Sequence, residues 1–157
     1  MKRVKILALV MALLMLAAAF ASCKSAPKQT MTCTVSVTTP DDPIVLNYST
    51  TMTYAEGETP KVLDVARQAL DEMEIKYELD ETDDGQALGF YSITTTEGTT
   101  YKVGYTDAEK QYIGSWTYMV NDVVPESGRA GTNDAVDGSV ISFFFEVASV
   151  EDLSNNP

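Results

Sequence analysis

A single change of apolar period, between residues 56 and 75, constrains the fold of this chain most strongly. On either side of it, apolar and polar residues alternate with a period of two, which is typical of β-strands. Within "EGETPKVLDVARQALDEMEI" apolar residues recur every three to four positions, and Thr59 and Pro60 suit the cap and first turn of a helix. The sequence therefore predicts an α+β domain in which several strands pack against one amphipathic helix. The apolar stripe expected on that helix consists of Val62, Ala66, Ala69, Leu70 and Met73.

The first and last strand segments have the clearest patterns. In "MTCTVSVTT" the odd positions share one strand face, which favours a buried Cys33 over a reactive thiol, because no histidine exists to lower its pKa. The following "IVLNYSTTMTY" alternates in the same way and predicts a hairpin with the first strand. "SVISFFFEV" follows the Asp137–Gly138 turn and is apolar on both faces, which predicts a central strand.

The N-terminus has the layout of a secretory signal. Three cations precede an uncharged run of 16 residues, 6–21, and the run ends in "FASC". This ending resembles a bacterial lipobox, which implies lipidation at Cys23, although Phe20 stands where that box usually has leucine. An uncleaved signal anchor is the alternative, but the run is shorter than the roughly 20 residues of a spanning helix.

The chain is thus expected to be exported and anchored to the bacterial cell membrane by lipid, facing outside the cytoplasm. The expected segments are a lipoprotein signal peptide at 1–22, a lipidated tether at 23–30, one domain at 31–148 and a tail at 149–157.

Charge and residue inventory exclude several function classes. The formal net charge is −12, and removal of the signal peptide would take away three of the 11 basic residues and none of the 23 acidic ones. Such an acidic surface repels a phosphate backbone, so no nucleic-acid partner is expected. The absence of histidine removes the commonest general base, the commonest zinc ligand and any Ser-His or Cys-His pair. We therefore expect neither catalysis nor a cofactor.

The acidic loop "DETDDG" invites a calcium-binding interpretation, because Asp80, Asp83 and Asp84 precede Gly85. Counted from Asp80, however, the twelfth loop position is Tyr91, where an EF-hand requires a bidentate glutamate. A solvated loop without metal is the preferred interpretation.

The only tryptophan lies in "GSWTYMVNDVV". Alternation places Trp116, Tyr118 and Val120 on one strand face, while Asn121 and Asp122 tolerate the positive φ of a tight turn. Trp116 is open to two interpretations, a core side chain or a ligand contact.

Three stretches together resemble the transcobalamin-like C-terminal domain family: "EGETPKVLDVARQAL", "GSWTYMVND" and "VDGSVISFFF". Asp122 stands where that family usually has a turn glycine. The resemblance implies a β-grasp-like, ubiquitin-like domain with a mostly antiparallel or mixed sheet and one main helix.

In cobalamin carriers of that family the domain covers one side of a corrinoid, and a helical barrel, which this chain does not encode, covers the other. The resemblance thus implies that Gly128 and Gly131 let the backbone approach a planar ligand, and that Arg129 reaches a ligand amide or phosphate. The alternative for the glycines is a turn requirement. The implied ligand-binding residues are Trp116, Pro125, Glu126, Ser127, Gly128, Arg129, Ala130 and Gly131.

The resulting hypothesis is a non-catalytic surface binding protein with cobalamin or another corrinoid as candidate ligand, shared with a partner subunit. The alternative is a surface protein-interaction or scaffolding module that binds no vitamin. Four tyrosines allow either a glycan-binding platform or cross-strand packing: Tyr91, Tyr101, Tyr105 and Tyr112.

Overall fold

A computed structural model describes residues 27–41, 46–106, 109, 111–126 and 128–154. The predicted signal peptide, 1–22, and the predicted lipidation site Cys23 lie outside the described residues. None of the helices in the described ranges has the length and apolar character needed to cross a membrane.

The described residues form eight strands and two helices. In chain order they are β1 (Lys28–Thr38), β2 (Leu46–Ala55), α1 (Val62–Glu72), β3 (Tyr77–Glu81), β4 (Ala87–Thr94), β5 (Thr100–Lys102), β6 (Gly104–Tyr105), β7 (Tyr112–Val120), β8 (Val140–Ser149) and α2 (Val150–Ser154). Strand β1 includes the last three residues of the predicted tether 23–30, and α2 lies in the predicted tail 149–157.

The strands divide between two sheets. The larger has the order β2-β1-β8-β7-β6, and the smaller has the order β3-β4-β5. Neighbouring strands are antiparallel except β1 and β8, which run parallel at the centre of the larger sheet. The predictions of an α+β domain with a mixed sheet, of a β1–β2 hairpin and of a central last strand are therefore confirmed.

The core lies between the larger sheet and α1. The predicted inner face of β1 is buried, including Cys33, which is 1% exposed. In β8 only one face is buried, because Ile141 and Phe143 point to the core while Val140 is 42% exposed. Full burial of each large aliphatic side chain contributes about 1.5–3 kcal/mol. The helix buries Val62, Leu63, Val65, Ala66, Ala69 and Leu70.

The ends of α1 differ from the sequence prediction. The N-cap is Lys61 and not Thr59, because Lys61 is held in an extended conformation by a bridge to Asp134. Its N–H donates to the Asp64 carboxylate at 3.0 Å. Met73, predicted in the buried stripe, follows the last helical residue and is 46% exposed.

The turn after β7 confirms the conformation expected for its two central residues. Asn121 and Asp122 have φ of 52° and 63°. The N–H of Val120 donates to the carbonyl of Val123 at 2.9 Å, and the N–H of Val123 donates back at 3.1 Å. Positive φ at both central positions is the geometry of a type I′ turn, which matches the twist of a hairpin.

Candidate functional site

A cleft of about 380 Å³ opens between the two sheets. It exists because the segment 100–105 changes sheets: β5 pairs with β4, whereas β6 pairs with β7. The change takes place at Val103, whose N–H donates to Tyr91, and at Gly104, where φ is 119°. Beyond this crossing no strand among the described residues joins β4 to β7, and the space between these two strands is the cleft. It is lined by Asp80, Leu88, Gly89, Phe90, Val103, Ser115, Trp116, Thr117, Tyr118, Val124, Pro125, Gly128, Arg129, Ala130 and Phe143.

The floor of the cleft is aromatic. Phe90 and Phe143 are buried, with ring centroids 5.0 Å apart and an interplanar angle of 72°. Tyr118 stacks on Phe143 at 5.6 Å, and its hydroxyl accepts a hydrogen bond from the Asn133 amide at 2.5 Å. Burial raises the pKa of Tyr118, and the Asn133 hydrogen bond opposes this in part. The floor is therefore apolar, with one anchored polar group at its side.

Trp116 belongs both to the core and to the cleft. Its ring packs edge-to-face on Phe145, with centroids 5.1 Å apart, and its indole N–H donates to the Tyr101 carbonyl at 3.3 Å. The side chain is only partly buried and lines the cleft. The two interpretations of this residue are thus compatible.

The loop after β7 is fixed to the start of α1 by its main chain. The N–H groups of Val62 and Leu63 donate to the carbonyls of Asn133 and Ala130, each at 2.9 Å. The first N–H groups of a helix have no partner within the helix, so the loop supplies acceptors that the helix needs. An exposed ion pair between Lys61 and Asp134, at 2.5 Å, adds to this contact. The loop wall of the cleft is consequently held in place by backbone hydrogen bonds.

Gly131 has a different role from the one that the sequence suggests. Its N–H donates to Leu88 at 2.9 Å, and a Cβ atom added to it would lie 1.9 Å from the carbonyl oxygen of Ala87. The glycine is required because the loop approaches β4 closely, not because a ligand approaches the loop. Gly128 does line the cleft, but its φ of 83° also shows a turn requirement.

Arg129, which the resemblance places in contact with a ligand, has a partner within the chain. Its guanidinium forms an ion pair with Asp80 at 2.5 Å, which joins the loop to β3. Both side chains are well exposed, 61% and 43%, and an exposed pair of this kind is worth about 0–1 kcal/mol. A ligand that offers Arg129 a better acceptor can therefore open this pair at small cost.

The structure brings together five of the eight predicted ligand-binding residues. Trp116, Pro125, Gly128, Arg129 and Ala130 line the cleft, and Ala130 is buried. Glu126, exposed, and Gly131 are not part of the lining, and Ser127 lies outside the described residues.

Sequence reasoning missed the opposite wall. Leu88, Gly89 and Phe90 come from β4, and Asp80 from β3, and nothing in their sequence pattern indicates that β4 faces β7.

The acidic loop is closed by its own hydrogen bonds. The Thr82 hydroxyl bonds the Asp84 carboxylate, and the Thr82 N–H donates to Gln86 at 3.0 Å. The Thr82 hydrogen bond is the main reason that the pKa of Asp84 is lowered. Over the described ranges, no three histidine, cysteine, aspartate or glutamate side chains are grouped as metal ligands.

The four tyrosines differ in their surroundings. Tyr101 packs edge-to-face on Phe145 at 5.3 Å, and its hydroxyl donates to Asp41 at 2.7 Å. The other three side chains are 38–53% exposed: Tyr91, Tyr105 and Tyr112.

The sequence matches no model of a known protein family and none of the curated proteins. Two solved structures resemble the fold at low identity. A protein from Ruminococcus gnavus ATCC 29149, described as a candidate metal binding protein, is 16% identical with a TM-score of 0.39, and the match covers 75% of this chain and 98% of that one. Haptocorrin in complex with cobinamide is 19% identical with a TM-score of 0.46, and the match covers 80% of this chain and 27% of haptocorrin. At these values neither likeness identifies a family or a ligand.

Proposed function

We propose that this chain is a non-catalytic binding protein whose cleft takes part of a large, flat ligand, with cobalamin or another corrinoid as the candidate. One observation carries the proposal: Trp116 and the loop residues Pro125, Gly128, Arg129 and Ala130 meet over the aromatic floor of a single cleft. Small-molecule sites are typically concave and mostly apolar, with a few placed polar groups. Here those groups are the Arg129–Asp80 pair and the Tyr118 hydroxyl.

The size of the cleft bears on how such a ligand binds. Its volume of about 380 Å³ is near the lower end of the roughly 300–1,000 Å³ usual for ligand pockets. A corrin macrocycle with its side groups exceeds this volume, so only an edge of it enters. A partner subunit would cover the remainder, which agrees with the half-site that the family resemblance implies.

The remaining parts of the proposal rest on the sequence and the topology. The parallel pairing of the first and last strands supports a β-grasp-like domain, and the leader ending at Cys23 supports a lipid anchor on the outer face of the cell membrane. The absence of histidine supports a function without catalysis. Mass spectrometry of the mature N-terminus tests the anchor, and an unmodified, uncleaved leader would refute it.

Equilibrium dialysis against cyanocobalamin tests the ligand directly. Val124 lines the cleft and is 54% exposed, so Val124→Arg places a charge at the mouth without disturbing the core. Val136 lies in the same connection, outside the lining, and is 64% exposed, so Val136→Arg is the matched control. We expect binding by the wild type and by Val136→Arg, and binding at least about tenfold weaker by Val124→Arg.

Fluorescence of the single tryptophan gives an independent readout, because Trp116 borders the cleft. Ligand in the cleft should quench its emission beyond the absorption loss measured with free N-acetyltryptophanamide. If neither the wild type nor the variants retain cyanocobalamin at high micromolar ligand concentration, the corrinoid is ruled out as the ligand.

The second candidate is a surface protein-interaction module. The observation that favours it is the edge of β7 that borders the cleft, where the described part of β6 pairs with Ile113 and Gly114 but does not reach Trp116 or Tyr118.

A further inference from the structure

The cleft runs between two strand edges and not across a sheet face. Residues 115–118 of β7 line it without interruption, and so do residues 88–90 of β4. Successive residues of a strand point to opposite faces, so an uninterrupted series can border one space only along the edge. The two sheets therefore face each other here with their edges, separated by the width of the cleft.

The hydrogen-bond register shows which main-chain groups of β7 point into the gap. The N–H of Val150 donates to the carbonyl of Gln111, and the N–H of Asn121 donates to the carbonyl of Val140. The N–H and C=O groups of the odd-numbered residues of β7 therefore point toward β8. The N–H of Thr106 donates to the carbonyl of Tyr112, so the N–H and C=O groups of the even-numbered residues point toward β6. Gly114 pairs with Gly104, and Val120 bonds Val123 in the turn.

Trp116 and Tyr118 lie between those two points. In the described part of the chain, no strand pairs with them on the β6 side of β7. Their N–H and C=O groups amount to two donors and two acceptors. Main-chain groups at a strand edge are a template for pairing with another chain.

We infer that the cleft accepts one extended peptide segment of a partner protein, which adds as a strand to the edge of β7. The inference rests on the second candidate function and is independent of corrinoid binding. The segment pairs with Trp116 and Tyr118 through its main chain and closes the gap between the two sheets. Strand addition of this kind takes its affinity from main-chain hydrogen bonds and its specificity from the pockets that receive alternate side chains.

The walls of the cleft define the chemistry of the segment. Residues 115–118 offer an edge about 10 Å long, which matches three to four extended residues. The floor of Phe90 and Phe143 receives an apolar side chain, and a Cβ at Gly89 would meet nothing within 4 Å, so that part of the wall is open. The net charge of −12 disfavours acidic segments, so the partner segment is uncharged or basic.

Hydrogen exchange measured by NMR on the unliganded chain tests the premise. The amides of Ser115 and Thr117 pair with β8 and should exchange at least about tenfold more slowly than those of Trp116 and Tyr118. Equal protection of all four amides would show that the edge is closed and would overturn the inference.

Selection of a displayed library of random seven-residue peptides against the chain tests the occupant. A selected peptide should protect the Trp116 and Tyr118 amides from exchange, and N-methylation of its alternate residues should weaken binding about tenfold or more. The matched control peptide carries the N-methyl groups on the other residues, whose N–H groups point away from β7. A library that yields no binder, or a binder that protects other strands or is indifferent to N-methylation, refutes the inference.

The corrinoid proposal and the peptide inference can be refuted independently of each other. Peptide binding is read at the amides of β7 and needs no corrinoid, whereas dialysis against cyanocobalamin needs no peptide. Competition between cyanocobalamin and a selected peptide would show that both use the cleft.

Discussion

Replacement of Gly131 by alanine tests the contact that fixes the loop wall of the cleft. A Cβ at this position would lie 1.9 Å from the carbonyl oxygen of Ala87, a main-chain atom that cannot rotate away. The loop or the start of β4 must then move. Such movement weakens the hydrogen bond from Gly131 to Leu88 and, next to it, the one from Leu63 to Ala130, both 2.9 Å.

The magnitude follows from these two effects. Overpacking in a tightly fitted site costs about 1–3 kcal/mol, and each weakened hydrogen bond about 0.5–1.5 kcal/mol. We expect Gly131→Ala to lower the free energy of unfolding by about 2–6 kcal/mol, the sum of the overpacking and of the two weakened hydrogen bonds. With a urea dependence of about 2 kcal/mol per molar, the middle of the usual range, the unfolding midpoint should fall by roughly 1–3 M.

Urea unfolding followed by the fluorescence of Trp116 is the assay, and Gly89→Ala is the matched control. Gly89 lies in β4 beside the same contact, but a Cβ there meets no atom within 4 Å and the residue has no positive φ. The control should be neutral or more stable by up to about 1 kcal/mol, because alanine restricts the unfolded chain. If Gly131→Ala were as stable as Gly89→Ala, the loop would not approach β4 as described, and the account of this cleft wall would be wrong.

Three further predictions concern the turn, the floor and the core. Asp122→Gly should raise the free energy of unfolding by about 0.5–1 kcal/mol, because Asp122 has a φ of 63° and type I′ turns favour glycine at this position. A urea titration measures the change, and a lower unfolding midpoint in the variant would contradict the turn assignment. Burial raises the pKa of Tyr118, so its contribution to stability is complete below the ordinary tyrosine pKa of about 10 and is lost as pH rises through the higher folded value. Unfolding midpoints measured between pH 9 and 12 should therefore fall less steeply in Tyr118→Phe than in the wild type, and identical slopes would argue against a buried phenol. Burial likewise raises the pKa of the Cys33 thiol. In a Cys23→Ser variant, which leaves Cys33 as the only cysteine, a disulfide reagent at pH 8 should react with the folded chain at least about a hundredfold more slowly than with the chain unfolded in urea. Comparable rates in both states would place the Cys33 thiol at the surface.

Local patterns in the sequence predicted the elements that depend on near neighbours. The period change at residues 56–75 gave the helix, the alternation around Cys33 gave a buried strand face, and Asn121–Asp122 gave a turn. The helix start was misplaced because its first N–H groups bond to residues such as Asn133, far along the chain.

The site was predictable on one wall only. Trp116 and the loop that follows it were accessible through a resemblance in sequence, but β4 is brought opposite β7 by the crossing at Val103 and Gly104. That crossing depends on which sheet each half of the segment 100–105 joins, and strand pairing of this kind is set by tertiary contacts and not by the local sequence. The pairing of Arg129 with Asp80 is likewise a consequence of tertiary contact.

The parallel pair at the centre of the larger sheet governs the order in which the chain can fold. The Ser36 and Ser142 hydroxyls, 106 positions apart, bond across β1 and β8 at 2.9 Å. During synthesis β1 can pair only with β2, and a lone two-stranded hairpin is at best marginally stable in water. The larger sheet cannot be completed until β8 is available to β1, so folding should be slow and truncated products that lack β8 should be prone to aggregate through the unpaired side of β1.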